Sequence, residues 1–355
     1  MLWVILIVAL CLPRRGGDNS ILLTDMWILF TYVSVYAAKY ILAVAILIGK
    51  IPHVFYRRSW HTPFWIGLSL GALTLAVFWF GALINRFRID VKEVTVEIAG
   101  LPEAFDGYKI VQLSDFHTGT YGTSNSYIDK IAAKILQIKP DAVVFTGDIV
   151  NSRASEIDSH IKSLSSIKAK DGVYAVFGNH DYGDYADWPS DAIKEESREH
   201  LRNAIREMGW TLLLNDTRFV KRNSDSIAII GVENIGDPPF PVYGSLSKAY
   251  PTVADSTTKI LLSHNPAHWV DSIADNPNIN IPLTLSGHTH AMQFELCGLS
   301  PAALRYRTWG GLYADTDATH LLYVNIGLGT VGFPSRIGAT PELTIFTLRP
   351  KKQSL

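Results

Sequence analysis

Two long apolar runs dominate the start of the chain. Residues 27–48 carry one charge, Lys39, and residues 64–84 carry none. At a rise of about 1.5 Å per residue, either run crosses a hydrocarbon core about 30 Å thick, so both predict spanning helices. A pair of buried core helices is the alternative, but a connection of only residues 49–63 would demand a large protein core around both. Trp27, Trp60, Trp65 and Trp79 fall near the predicted ends, where an indole buries its ring and keeps its N–H among headgroups. Residues 1–12 are apolar but short. No basic residue precedes them and Pro13-Arg14-Arg15 follows, which predicts a short first helix rather than a signal peptide. Lys39, mid-span, is expected to snorkel, pair or line a helix contact.

After Ile89 the texture changes to alternation, with Val94, Val96 and Ile98 on one face of a predicted strand. Short apolar strands at 109–113, 142–145, 173–177, 227–231, 259–263 and 283–286 then follow, with helical spacing at 127–138, 157–167 and 191–208. Short strands alternating with helices predict an α/β domain. Ligands in such folds bind at the carboxyl ends of the strands. Five of the strands run into polar clusters there: Asp115-x-His117, Gly147-Asp148, Gly178-Asn179-His180-Asp181, His264-Asn265-Pro266 and Gly287-His288-x-His290. The chain is therefore expected to divide into a membrane region, 1–88, and an α/β domain, 89–350.

Charge sharpens that division. The net of -1 over 355 residues hides +6 in residues 1–88 and -7 in the remainder. The acidic part argues against a nucleic-acid partner. Two cysteines, Cys11 and Cys297, exclude a disulfide scaffold and a cysteine-based zinc module. With two spans, Arg14, Arg15, Arg86 and Arg88 lie on one side and Lys50, Arg57 and Arg58 on the other. The basic-loop bias then leans towards a C-terminal domain on the cytoplasmic side of the cytoplasmic membrane.

A single Asp-x-His or Gly-Asp is ordinary turn chemistry. Five polar clusters, each directly after a strand, are not. In an extended segment, residues two apart project to one face about 6.5 to 7 Å apart at the backbone, so Asp115 and His117 can converge on one ion. His288 and His290, spaced alike, can reach two neighbouring ions held about 3.5 to 4 Å apart. Asp148 can bridge both ions with its two carboxylate oxygens, while Asn179 and His264 add neutral donors. Two divalent ions against two aspartates leave about +2, which suits an anionic phosphate ester; an all-carboxylate cage would favour calcium.

Taken in order, these clusters resemble the calcineurin-like metallophosphoesterase superfamily. The stretch from Tyr323-Val-Asn-Ile-Gly to Arg336-Ile-Gly-Ala-Thr-Pro-Glu342 resembles its bacterial membrane-anchored branch. The resemblance implies a four-layer sandwich of two mixed β-sheets flanked by helices. It also implies two divalent ions, of manganese, iron, zinc or magnesium. One would be held by Asp115, His117, Asp148 and His290, the second by Asp148, Asn179, His264 and His288. A metal-bridging hydroxide would attack phosphorus, with His180 assisting the leaving group and Asp181 orienting that imidazole or serving as a turn acid. Arg336 is expected to bind substrate phosphate or to pair with Glu342. Ala291-Met292 and Ile326 stand where many relatives have two glycines and an arginine. Phe294, Trp309 and Tyr313 are read as core, with an acyl-chain cleft as the alternative. The function implied is hydrolysis of a phosphate ester or pyrophosphate, lipid-linked ones included. A phosphoprotein phosphatase, a nuclease and a non-catalytic membrane scaffold or sensor stay open.

Overall fold

The computed structural model describes residue 7 and residues 19–56, 60–236, 241–250 and 257–351. The short helix expected within 1–12 therefore lies outside the described residues. Helix α1, Asn19–Tyr56, contains the first apolar run, and helix α2, Thr62–Leu83, contains the second except Ile84, which caps it. At about 1.5 Å per residue they measure roughly 57 and 33 Å, so α1 is the longer by several turns. Both are long and apolar enough to cross a membrane. Leu47, Trp65 and Leu73 on their outer faces are more than half exposed. Apolar surface of this extent is adverse in water and favourable in lipid. Lys39 is exposed, with its ammonium 5.1 Å from the Tyr36 ring.

The remainder is built on two six-stranded mixed sheets. The strands are β1 Asp90–Ile98, β2 Lys109–Leu113, β3 Ala142–Phe145, β4 Val173–Ala175, β5 Thr211–Leu212, β6 Asp216–Arg222, β7 Asp225–Gly231, β8 Thr258–Leu262, β9 Leu283–Ser286, β10 Gly311–Ala314, β11 Leu321–Val324 and β12 Glu342–Pro350. One sheet runs β1-β12-β2-β3-β4-β5, the other β10-β11-β9-β8-β7-β6. Inner faces meet through Ile110, Val144, Ile229 and Leu285 among others. Outer faces are covered by α3 (Ser126–Ile138) and α4 (Asp191–Glu207) on one side and α5 (Ala267–Ser272) on the other. This is the four-layer sandwich expected. In the first sheet β2, β3 and β4 are parallel neighbours, as are β8 and β9 in the second. All five polar clusters consequently emerge along adjoining sheet edges.

The helix expected over 157–167 shrinks to Ile161–Leu164. Ser165 and Ser166 donate to the carbonyls of Ile161 and Ser163, the local competition that makes serine a poor helix interior.

The apolar helices are docked onto the sandwich. Phe333 packs on Phe30 of α1 and Phe78 of α2, with ring centroids 5.1 and 6.1 Å away. Arg336 N donates to Gly81 O. A Cβ at Gly81 would lie 2.3 Å from Ser335 Oγ and 2.9 Å from Arg336 O, so only glycine permits this approach.

Candidate active site and metal centre

The parallel strands deliver their ligands through sharp bends. Asp115 follows β2, Asp148 follows β3 and Asn179 follows β4; His264 and His288 follow β8 and β9. Backbone hydrogen bonds lock neighbouring loops together: Asp115 N to Gly147 O, His117 N to Asp148 O, and Gly287 N to His264 O. Beneath the site, Gln112 Nε2 donates to Ser286 O at 2.8 Å and ties the two sheets.

Convergence of Asp115 with His117 does not come from a continuing strand, as the spacing suggested. Asp115, His117, Asp148, His288 and His290 all have positive φ, at 56°, 48°, 61°, 77° and 51°. Left-handed backbone at non-glycine residues is strained by about 1–2 kcal/mol each and persists where surrounding structure enforces it. Ala291 and Met292 continue this conformation, at φ 50° and 47°. Glycine would hold it without a Cβ penalty, so the departure from the family's glycines leaves the backbone path intact.

Two clusters result. In the first, His290 Nε2 is 3.0 Å from His117 Nε2 and 3.1 Å from Asp115 Oδ1. In the second, His264 Nε2 is 3.1 Å from both Asp148 Oδ2 and Asn179 Oδ1, and His288 Nδ1 is 2.8 Å from Asn179 Oδ1. Asp148 Oδ2 also lies 3.7 Å from His117 Nε2, between the two sets. Its Oδ1 accepts from His180 N. The bridging position thus belongs to one oxygen, not two. Donor atoms about 3 Å apart match adjacent ligands of a transition metal bound at about 2.1 Å. Asp115 and His264 are fully buried, and each cluster gathers a carboxylate with imidazoles whose ligand atoms lie within 4.8 Å of one another. Buried carboxylates facing imidazole nitrogens need cations, so the residues fit two divalent ions.

The electrostatics agree. Burial lowers the pKa of His117 and His290, and that of His288 to about 4, keeping these rings neutral as ligands must be. Burial would also lower His264, but the adjacent Asp148 carboxylate outweighs it and raises the imidazole to about 9, so a cation bound here would take the place of the ring's second proton. His264 Nδ1 is held by Thr146 O, leaving Nε2 towards Asp148.

His180 stands beside the clusters, with its Nδ1 2.6 Å from Asn151 O. A carbonyl can only accept, so the ring proton sits on Nδ1 and Nε2 is the atom free to exchange one. Tyr185 stacks on this ring at 4.3 Å and its hydroxyl accepts from Asn179 Nδ2. Tyr306 Oη lies 3.1 Å from His288 Nε2. These tyrosines and Asn151 were not singled out by sequence; the position of Asn151, three residues after Asp148, was the only available cue.

The orienting role expected of Asp181 and both roles expected of Arg336 are corrected, while the turn-acid reading of Asp181 holds. Asp181 does not touch the His180 imidazole. Its carboxylate accepts the backbone N–H groups of Asp148, Ile149, Val150 and Gly178, fastening two ligand loops together. Arg336 is fully buried and cannot reach substrate. It donates to the carbonyls of Gly329, Ala339 and Ile326, and its Nη2 is 3.0 Å from His290 Nδ1. Glu342 pairs instead with Tyr323 and Thr344. Phe294 is 39% exposed, so this ring is not core. Of the histidines outside the clusters, His160, His268 and His320 are buried and satisfied by Asn125, Ser263 and Asp315, while His200 pairs with Asp158 at the surface.

Residues 108–292 match the family described as calcineurin-like phosphoesterase. Over 303 residues the chain is 30% identical to the uncharacterized metallophosphoesterase YkuE of Bacillus subtilis, covering 82% of this chain and 97% of that protein. The chain belongs to the calcineurin-like phosphoesterases. It is also 32% identical to the transmembrane protein with metallophosphoesterase domain of Danio rerio, covering 79% of this chain and 62% of that one. Identity is 29% to the UDP-2,3-diacylglucosamine pyrophosphatase LpxG of Chlamydia muridarum, covering 74% and 91%. As a member of this family the chain is a metal-dependent phosphoric ester hydrolase, and the two Asp/His clusters are its candidate metal sites.

Proposed function

We propose that the protein is a membrane-anchored, dinuclear phosphoesterase that hydrolyses a phosphate ester or pyrophosphate, lipid-linked ones among them, with residues 1–88 as anchor and 89–350 as catalytic unit. The observation that carries this reading is the placement of Asp148 Oδ2 within 3.1 Å of His264 and 3.7 Å of His117, one carboxylate oxygen serving both sets of imidazoles. Asp115, His117, Asp148 and His290 would hold one ion; Asp148, Asn179, His264 and His288 the other. When bound, such ions supply an activated water and positive charge against the phosphoryl oxygens. The chain supplies position and a proton. His180, fixed through Nδ1 to Asn151 O, donates from Nε2 to the departing oxygen, and its stacked Tyr185 keeps the ring plane constant. Anchoring is supported by the exposed apolar faces of α1 and α2 and by the named transmembrane relative of Danio rerio. A diacylglucosamine pyrophosphatase among the relatives is consistent with a lipid-linked pyrophosphate as one substrate. The four-against-three count of basic residues favours a catalytic unit on the cytoplasmic face.

The test is release of product from a chromogenic phosphodiester by the purified full chain with Mn(II). Asp148→Asn and His180→Ala are each expected to abolish turnover; unchanged rates in both would refute the mechanism.

A further inference from the structure

The catalytic imidazole opens onto a cavity of about 340 Å³ whose far wall is not part of the sandwich. His180, Asn151 and Tyr185 line it. The same cavity is lined by Leu22, Leu23, Met26 and Leu29 of α1. Leu22, Met26 and Leu29 are spaced four and then three residues apart, which puts them on a single face of that helix. The cavity also borders Val331 and Gly332, directly before Phe333, the ring that docks on Phe30 and Phe78. It is therefore continuous with the interface between the apolar helices and the sandwich.

Helix lengths place this wall relative to the bilayer. Gly71 of α2 meets Ala38 of α1, and Phe78 meets Phe30, so the antiparallel pair brings Leu83 roughly opposite Met26. The first turns of α1, up to Asp25, run past the end of α2 and over the catalytic face. Met26 and Leu29 lie where α1 meets the end of α2, and with Leu22 and Leu23 they carry an apolar surface from there into the cavity that His180 lines. Asp25, the carboxylate on this wall, disfavours a phosphate there and favours it at the cation end.

We propose that the start of α1 is the apolar half of the active site, and that the substrate is a membrane amphiphile whose phosphate reaches the metal cradle while an alkyl chain lies along Leu22, Leu23, Met26 and Leu29. This rests on the hydrolase reading above and adds to it a substrate class, its specificity residues and a route of entry along the helix.

The test uses the full chain in nanodiscs with Mn(II) and a series of alkyl p-nitrophenyl phosphates, ethyl to octyl, that share one reacting group. Water oxygen bonds to phosphorus as the bond to p-nitrophenolate breaks, leaving the alkyl phosphate and released protons. Each methylene that enters the cavity raises kcat/KM by ~4-fold, so burial of two or three of the six added methylenes already makes octyl exceed ethyl by ~30-fold. Leu23→Trp, which fills the cavity, and Met26→Ser, which makes its wall polar, should each bring that ratio within ~3-fold, whereas Leu47→Trp on the outer face should keep it. The last variant controls for partition of long chains into lipid. A flat series in the wild type, or a steep one retained in both wall variants, overturns the proposal while leaving the hydrolase reading intact. If no ester is turned over, the hydrolase reading fails. The wall is then judged by binding alone: an octyl phosphonate bearing a mid-chain diazirine, displaced by unlabelled octyl phosphonate, should label residues 19–30. Displaceable labelling confined to other residues overturns it.

Discussion

Replacing Asp181 with asparagine separates a bracing role from a catalytic one. Oδ2 accepts from Asp148 N and Gly178 N, each at 2.8 Å, and Oδ1 accepts from Ile149 N at 2.9 Å and Val150 N at 3.3 Å. Asparagine keeps one acceptor oxygen and turns an NH2 group towards the other two N–H groups. Two buried donors lose their partners at about 1–3 kcal/mol each, so the variant should lose about 2–6 kcal/mol of stability. Part of this is offset, because burial and then the Asp148 charge raise the Asp181 carboxyl to about 7, and the amide carries no charge to repel. Thermal unfolding of the metal-free protein is the assay, and at roughly 2 °C per kcal/mol the midpoint should fall by a few degrees, ~12 °C at most. Metal content should fall too, since Asp148 N is one of the released groups. A variant that melts with the wild type yet loses turnover would refute this reasoning and return Asp181 to the service of His180.

Other consequences follow from single contacts. Arg336→Leu should leave three carbonyls and the back of His290 unsupported, lowering stability by at least ~3 kcal/mol, whereas an arginine that bound substrate would raise KM in a protein of normal melting behaviour. Gly329→Ala should prevent metal loading although Gly329 is no ligand: its Cβ would lie 2.0 Å from Phe116 O and 2.7 Å from Asp115 O, and normal metal content in that variant would show that the loop can yield. Cys297 is exposed, so in a Cys11→Ser background an impermeant maleimide should label it only after the cell membrane is opened; labelling of intact spheroplasts would put the catalytic unit outside.

The ends of β2, β3 and β9 match the expected residues because each is an apolar run closed at once by a polar ligand, and burial against two layers leaves no other reading of that pattern. The ligands were legible for the same reason, as donor-bearing residues concentrated where strands stop. Their conformation was not. Nothing in Asp115 or His117 as residue types announces positive φ, which is imposed by contacts such as that of Gly329 against the Asp115 and Phe116 carbonyls. The burial of Arg336 was hidden because its partners are backbone carbonyls, which every sequence offers alike. The reach of α1 over His180 was hidden as well: the predicted span begins only at residue 27, the helix itself starts at Asn19, and which neighbour its first turns face is decided by the docking of Phe333 and Gly81.

The account rests on two cations sharing Asp148. Elemental analysis of the full chain after dialysis against Mn(II) and removal of loose metal measures this directly. Two ions per chain are expected, with fewer than one retained in Asp148→Ala because both sets of ligands lose their common oxygen. No bound ion in the wild type, or two ions kept by Asp148→Ala, would contradict it.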